Sequence, residues 1–327
     1  MVNTNEMKNE RVFVAGHTGL VGSAIVRRLH QGGYGNVLGR DVATLDLTDT
    51  VATEGFFAEA KPAYVILAAA KVGGIHANET YPADFIRVNL QIQTNVIHAA
   101  YRHGVKKLLF LGSSCIYPKH APQPMKEEHL LTGPLEPTND AYAIAKIAGI
   151  LMTQAYNRQH GTNFIAAMPT NLYGPGDNFD LKTSHVLPAM VRKFAEAEAK
   201  GSPSVELWGT GTPRREFLFV DDLADALVFL LEHFDAGRDR ENFVNVGVGE
   251  DIPIKELAEL IREVVGYEGQ VVWNSSMPDG TPRKLLDVSR LHQLGWSART
   301  PLREGIERTL EAFRRLIPSQ PSQPSPT

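Results

Sequence analysis

Five short apolar runs, separated by stretches of helical periodicity, set the pattern of the first half of the chain. Arg11 to Ala15 reads as a short buried strand, and Tyr64 to Ala70 is apolar throughout, as in a strand covered on both faces of a parallel sheet. Val37 to Gly39, Lys107 to Leu111 and Phe164 to Met168 predict three more strands. Between them apolar residues recur at helical spacing. Leu20, Ile25, Val26 and Leu29 mark a helix over Ser23 to His30, and Thr53 to Lys61 reads as another. Phe85, Val88, Ile92, Val96, Ile97 and Ala100 mark a long one over Pro82 to His103, and a fourth runs through Tyr142 to Gln159. Strands alternating with helices predict an α/β fold, a Rossmann-type doubly wound parallel sheet with right-handed crossovers.

After about residue 172 the rhythm changes. Gly174 to Asn178 and Gly209 to Pro213 read as loops around a helix from Val186 to Lys200, with a short strand at Val205 to Trp208. A helix over Asp221 to Glu232, a strand at Phe243 to Val246 and a helix over Ile254 to Val265 follow, the last with Asp251 or Pro253 near its start. The pattern predicts a dinucleotide-binding domain over residues 1–172, to which some later segments return. A smaller mixed α/β substrate-binding domain is expected mainly over 173–317. Residues 318–327, rich in Ser, Pro and Gln with almost nothing to bury, are expected to be a disordered tail.

Composition narrows the function. Apolar residues make up 43% and charged residues 21% of the 327 positions, ordinary for a globular chain. A net charge of −4 without a long basic block speaks against nucleic acid as a partner. The longest apolar run, Tyr64 to Ala70, is far short of the roughly 20 residues of a membrane helix, so no membrane partner is expected. The first ten residues are polar and lack the apolar segment of a signal peptide. A single cysteine, Cys115, excludes an internal disulfide and a thiolate metal cluster, and suits a cytoplasmic location. No metal site is expected.

Two stretches carry chemistry. Gly16, Gly19 and Gly22, in the run Gly16-His17-Thr18-Gly19-Leu20-Val21-Gly22, sit between the first strand and the first helix. There the glycines permit a tight turn and close approach of backbone to a pyrophosphate, with helix amides facing the phosphates. The second strand ends at Arg40-Asp41, where an acid would hold an NAD ribose and an arginine the extra phosphate of NADP; the two stand side by side and decide nothing. Tyr142 and Lys146 are four residues apart on a helix, which puts phenol and ammonium on one face. An ammonium about 4 Å away is worth about 4 kcal/mol at an effective dielectric near 20. That would bring a phenol from about 10 to about 7. Ser113, just past the fourth strand, lies where open α/β sheets gather ligands.

The glycine turn, Ser113 and Tyr142-x-x-x-Lys146 together resemble the extended short-chain dehydrogenase/reductase family. Further blocks resemble the GDP-L-fucose synthases within it. They include Ala68 to Ile75, Gly112 to Pro118, Leu135 to Asn139, Pro169 to Pro175, Trp208-Gly209 with Arg215 to Phe217, Pro278 to Arg283 and Lys284 to Asp287. The resemblance runs from about Arg11 to Arg315. It implies epimerisation of GDP-4-keto-6-deoxy-D-mannose at C3 and C5, followed by NADPH reduction at C4. By the same resemblance Ser113, Tyr142 and Lys146 serve the reduction, while Cys115 is the base and His185 the acid of epimerisation. It assigns Gly16 to Gly22, Leu111, Gly112, Ser113, Ser114, Lys146, Pro169, Thr170, Asn171, Leu172 and His185 to the cofactor. Trp208, Arg215 and Asp279 are assigned to the GDP-sugar, with Lys193 at a nucleotide-contacting position that is arginine in some relatives.

Two departures bear on the coenzyme. Thr18 and Val42 stand where the family often carries arginines or other polar residues for the 2′-phosphate, which leaves Arg40 as its partner and Asp41 to repel it. NADP(H) is the expected cofactor, with NAD(H) possible. An Asp-Glu pair after the serine would mark a dehydratase, and Ser114-Cys115 stand there instead; a non-catalytic dinucleotide sensor would lose Tyr142 or Lys146, and both are present. Relatives pair the helices of Pro82 and Tyr142 across a dimer axis, so a homodimer is expected.

Overall fold

In the computed structural model, which describes residues 4–237, 242–277 and 279–316, the apolar runs become strands of one parallel sheet. These strands are β1 (Val12–Ala15), β2 (Val37–Leu38), β3 (Tyr64–Leu67), β4 (Lys107–Leu111) and β5 (Phe164–Pro169). The later half adds β6 (Asn171–Tyr173), β7 (Ser204–Trp208), β8 (Arg214–Arg215), β9 (Phe217–Phe219), β10 (Phe243–Val246), β11 (Ile252–Pro253), β12 (Gln270–Asn274) and β13 (Arg283–Lys284). The helices up to the middle of the chain are α1 (Thr4–Asn9), α2 (Leu20–Gln31), α3 (Thr50–Ala60), α4 (Ile75–Thr80), α5 (Pro82–Arg102) and α6 (Asp140–His160). Those after it are α7 (Val186–Lys200), α8 (Val220–His233), α9 (Ile254–Val265), α10 (Ser289–Leu294) and α11 (Leu302–Leu316).

The central sheet has the order β10-β5-β4-β3-β1-β2, with every pairing parallel. Its fold is the Rossmann type, and β10 returns to it from the later half of the chain. The apolar runs are continuous because helices cover both faces, and alternate strand residues divide between two cores. Val12, Val14, Ile66 and Leu109 pack with α2 and α8, whereas Phe13, Ala15, Val65, Leu67 and Phe110 pack with Phe57, Val96, Ile97 and Ile147 of α3, α5 and α6. Each such fully buried large side chain contributes about 2 kcal/mol relative to exposure. The α5–α6 pair is further locked by a buried amide, Gln93 Nε2 donating to the Ala145 carbonyl at 2.7 Å.

The later half builds a third core. Phe194, Leu257, Ile261, Ile306, Leu310 and Phe313 join α7, α9 and α11, and the parallel pair β7–β12 lies against them. Two smaller sheets, β6–β9 and β11-β8-β13, connect this layer to the C-terminal edge of the central sheet. Some boundaries differ from the sequence pattern. Asp49 accepts from the Ala52 amide at 2.9 Å and starts α3 at Thr50. Of the two residues before α9, Pro253 is the cap, while Asp251 is held instead by Arg214 and Arg283. The expected tail over 318–327 lies outside the described residues. Among the described residues, no helix is long and apolar enough to cross a membrane.

Candidate active site

The glycine turn joins β1 to α2 and is shaped for close approach. Gly16 has φ +83°, and a Cβ there would fall 2.8 Å from the Ala69 backbone; a Cβ on Gly22 would fall 1.9 Å from the Gly16 carbonyl oxygen. Gly19 caps α2 without a side-chain partner, so the first amides of the helix, from Leu20 and Val21, are left without a capping side chain. That is the donor set a pyrophosphate needs, and the residues fit a dinucleotide. His17 and Thr18 form the outer wall of the turn, and Arg40 follows the end of β2 beside it.

Farther along the same sheet edge, β4 ends at Leu111 and passes through Gly112 into a short 3₁₀ turn, Ser114–Ile116, capped by Ser113. Ser113 Oγ accepts from the Cys115 amide at 3.3 Å, which fixes the hydroxyl over the strand end. The α6 helix lays Tyr142 and Lys146 across this point. Lys146 is buried, donates from Nζ to the Leu111 carbonyl at 2.8 Å, and lies 5.0 Å from the Phe110 ring and 5.8 Å from the Tyr142 ring centroid. Both groups lie on one face, as their spacing predicts, but the ammonium does not lower the phenol as expected. Burial pushes the Tyr142 phenol up, with charge on Cys115 adding to this and the Ser113 hydrogen bond opposing it. Burial pulls Lys146 down to about 7. The ammonium is turned to the Leu111 carbonyl, and desolvation outweighs its reach to the phenol.

Cys115 sits among three donors. Asn139 Nδ2 lies 3.3 Å and Lys284 Nζ 3.5 Å from its Sγ, and Ser113 adjoins it. Burial alone would raise the thiol, but the Lys284 charge and the hydrogen bonds from Ser113, Lys284 and Asn139 outweigh it, so the thiol is held below its ordinary value. The Oδ1 atom of Asn139 is buried without a partner, so the amide spends its donor on sulfur. His185 caps α7 with its ring reachable by solvent. The protein packed around it, together with the Lys284 charge, nevertheless keeps it below the usual histidine range. Lys284 therefore acts electrostatically on both Cys115 and His185.

Lys284 stood in the sequence only as the start of the resembling block Lys284 to Asp287, with no role assigned to it. It arrives through β13, which pairs in parallel with β8 so that Lys284 lies opposite Arg215. Glu216, fully buried, clamps this arrangement by accepting from the amides of Val248 at 2.6 Å, Gly249 at 2.8 Å and Leu286 at 3.0 Å. The same residue's carbonyl accepts from Asn171 Nδ2 at 2.8 Å and Thr170 Oγ1 at 3.3 Å, which ties down the segment Pro169 to Leu172 leaving β5. The remaining predicted residues lie on α7, β7, β8 and the loop after β12. Arg215 is within electrostatic reach of both Asp279 and Cys115. Asp279 accepts from the Thr210 amide at 2.7 Å and hydroxyl at 2.8 Å, closing the loop after β7. Exposed Trp208 ends β7 with the Lys193 ammonium 5.9 Å from its ring, and Lys193 Nζ also donates to the Glu206 carbonyl at 2.9 Å.

Residues 12–247 match the NAD dependent epimerase/dehydratase family. The chain belongs to that family. Among its relatives, GDP-L-fucose synthase 1 of Arabidopsis thaliana is 61% identical over 316 residues, covering 97% of each chain. Among solved structures, a GDP-6-OMe-4-keto-L-xylo-heptose reductase from C. jejuni is similar with a TM-score of 0.90 at 39% identity, covering 95% of this chain and 99% of the other. A GDP-L-fucose synthetase from Naegleria fowleri bound to NADP is similar with a TM-score of 0.85 at 28% identity, covering 94% of each chain. The thiol held by Asn139 and Lys284 is a feature of the geometry described above.

Proposed function

We propose that the chain converts GDP-4-keto-6-deoxy-D-mannose to GDP-L-fucose, by epimerisation at C3 and C5 followed by NADPH-dependent reduction of the C4 ketone. The observation that carries this reading is a single depressed thiol, Cys115, sharing one site with the Ser113, Tyr142 and Lys146 set. A simple reductase needs only the latter. C3 and C5 flank the C4 carbonyl, so their protons become acidic when negative charge on the carbonyl oxygen is stabilised. Ser113 and Tyr142 supply those donors, as an oxyanion hole does.

In this mechanism the Cys115 thiolate removes the carbon proton, and His185 in its protonated form returns one to the opposite face. A histidine with a lowered pKa is a strong acid once charged, and its ring meets solvent, from which it recharges. Lys284 favours the thiolate that starts the cycle. Tyr142, with its pKa raised, stays protonated at neutral pH and is the acid that gives its proton to the C4 oxygen. The bound coenzyme supplies the hydride. Gly16 to Gly22, with the amides of α2, hold its pyrophosphate. Lys146 holds its ribose and, together with Leu111 to Ser114, Pro169 to Leu172 and His185, frames the nicotinamide end. Arg215 offers the diphosphate of the sugar nucleotide a fork of donors, Trp208 and Lys193 face its base, and Asp279 sets the loop beside it.

The same proposal assigns dinucleotide binding to residues 1–172 and substrate binding mainly to 173–317, in a cytoplasmic homodimer. Support for the dimer is the outer face of α5 and α6, where Ile144, Leu151 and Tyr101 are exposed. Sedimentation at micromolar concentration should show the dimer, and a monomer would remove that part. For the activity, protein is mixed with GDP-4-keto-6-deoxy-D-mannose and NADPH. Loss of nicotinamide absorbance with formation of GDP-L-fucose is expected. Unchanged absorbance with coenzyme demonstrably bound would sink the reductase assignment.

A further inference from the structure

The end of β2 resolves a choice that the adjacent Arg40 and Asp41 leave open. At this place in a doubly wound fold the adenosine ribose is read: a carboxylate accepts from its 2′-hydroxyl, whereas an arginine receives a 2′-phosphate. The Arg40 side chain is engaged with its own neighbours. Its guanidinium lies 5.6 Å from the Phe56 ring centroid, and Nη1 donates to the Gly39 carbonyl at 2.8 Å. Asp41 is turned toward the glycine turn instead, with Oδ1 3.7 Å from His17 Nε2 and a side chain 63% exposed. The His17 ring packs against the strand end so closely that a Cβ on Gly39 would fall 2.4 Å from it. His17 Nδ1 is buried without a partner. The third wall, Thr18, is exposed and uncharged.

We propose that Asp41, beside His17, accepts a hydrogen bond from the unphosphorylated adenosine ribose, so that this chain binds NAD(H) comparably to NADP(H). Asp41 is then the residue that restrains the preference for the phosphorylated coenzyme. The inference rests on the dinucleotide-binding part of the function proposed above. A 2′-phosphate placed beside Asp41 meets its carboxylate as a like charge. Removing one charge ~6 Å from a phosphate of about two charges in a water-like dielectric changes binding about tenfold.

The test is titration calorimetry of the full chain with NAD+, NADP+, ADP-ribose and 2′-phospho-ADP-ribose, without any sugar nucleotide. Wild-type dissociation constants for NAD+ and NADP+ should lie within about tenfold of each other. Asp41→Asn should shift the ratio about tenfold toward NADP+, and the two ADP-ribose fragments should show the same shift. Arg40→Ala should weaken NADP+ less than about threefold. The proposal is overturned if NADP+ binds more than about a hundredfold tighter than NAD+, or if Asp41→Asn leaves the ratio unchanged. It is equally overturned if Arg40→Ala abolishes the discrimination. In each of those outcomes tight NADP+ binding leaves the proposed activity standing, whereas failure of every ligand to bind removes both.

Discussion

Replacing Lys284 by methionine keeps the length of the side chain and removes the cation 3.5 Å from the Cys115 sulfur. Two unit charges at that separation interact by about 1 kcal/mol in bulk water and about 5 kcal/mol at an effective dielectric of 20. Cys115 is partly exposed, so solvent screens the pair and a value of about 2 kcal/mol is the one to use. Its loss raises the thiol pKa. With Lys284 gone the desolvation that already opposes ionisation is left less opposed, and the thiolate fraction near neutral pH falls. Lys284 also lowers His185, so its removal raises the histidine as well. Both limbs of the pH profile for carbon-proton exchange should therefore move to higher pH, with activity partly recovered in alkaline buffer. Because Cys115 is the only cysteine of the chain, ultraviolet titration of the thiolate reads this site alone. A thiol pKa unchanged by Lys284→Met would refute the electrostatic role of Lys284. A uniform loss of rate with no shift in the profile would do the same.

Three further outcomes follow from the same geometry. Tyr142→Phe removes the proton donor, and should lower kcat for ketone reduction by about 10² to 10⁴-fold while leaving coenzyme affinity, measured by calorimetry, nearly unchanged. Lys146→Met should abolish reduction yet raise Tm by a few degrees, because burial holds the native lysine pKa near 7 against 10.5 for the free side chain. A lysine whose folded pKa is depressed costs stability in full below about 7, and the cost fades as pH rises toward 10.5. The wild type should thus gain stability over that window relative to Lys146→Met. Glu216→Gln places an amide against the buried Val248, Gly249 and Leu286 donors, and urea unfolding should register a loss of about 2–4 kcal/mol.

Much of the nucleotide half is legible in the sequence because its signals are local. A strand buried on both faces must be apolar at every position, and the glycine turn is a steric requirement at Gly16 and Gly22 that no other residue meets. The elements that escaped notice are those without a local signature. The α11 helix carries its core contacts on Ile306, Leu310 and Phe313 amid arginines and glutamates, so it reads as a solvated charged stretch. The strands β8 and β13 consist of Arg214–Arg215 and Arg283–Lys284, two residues each with no apolar alternation to detect. Their pairing is nevertheless what delivers Lys284 to Cys115 from 169 positions away in the chain. The Tyr142–Lys146 spacing gave the shared helix face, but not the direction in which the ammonium turns or the depth of burial. Those decide which way each group titrates.

By this mechanism one site moves carbon protons and then delivers a reduced sugar. This is tested most directly by running the reaction with NADPH in deuterium oxide and reading the GDP-hexose product by NMR. GDP-L-fucose with solvent deuterium at both C3 and C5 is expected, and Cys115→Ser should slow its appearance at both carbons by at least about 10²-fold with coenzyme still bound. A reduced product lacking deuterium at those carbons, or incorporation unaffected by Cys115→Ser, would contradict it.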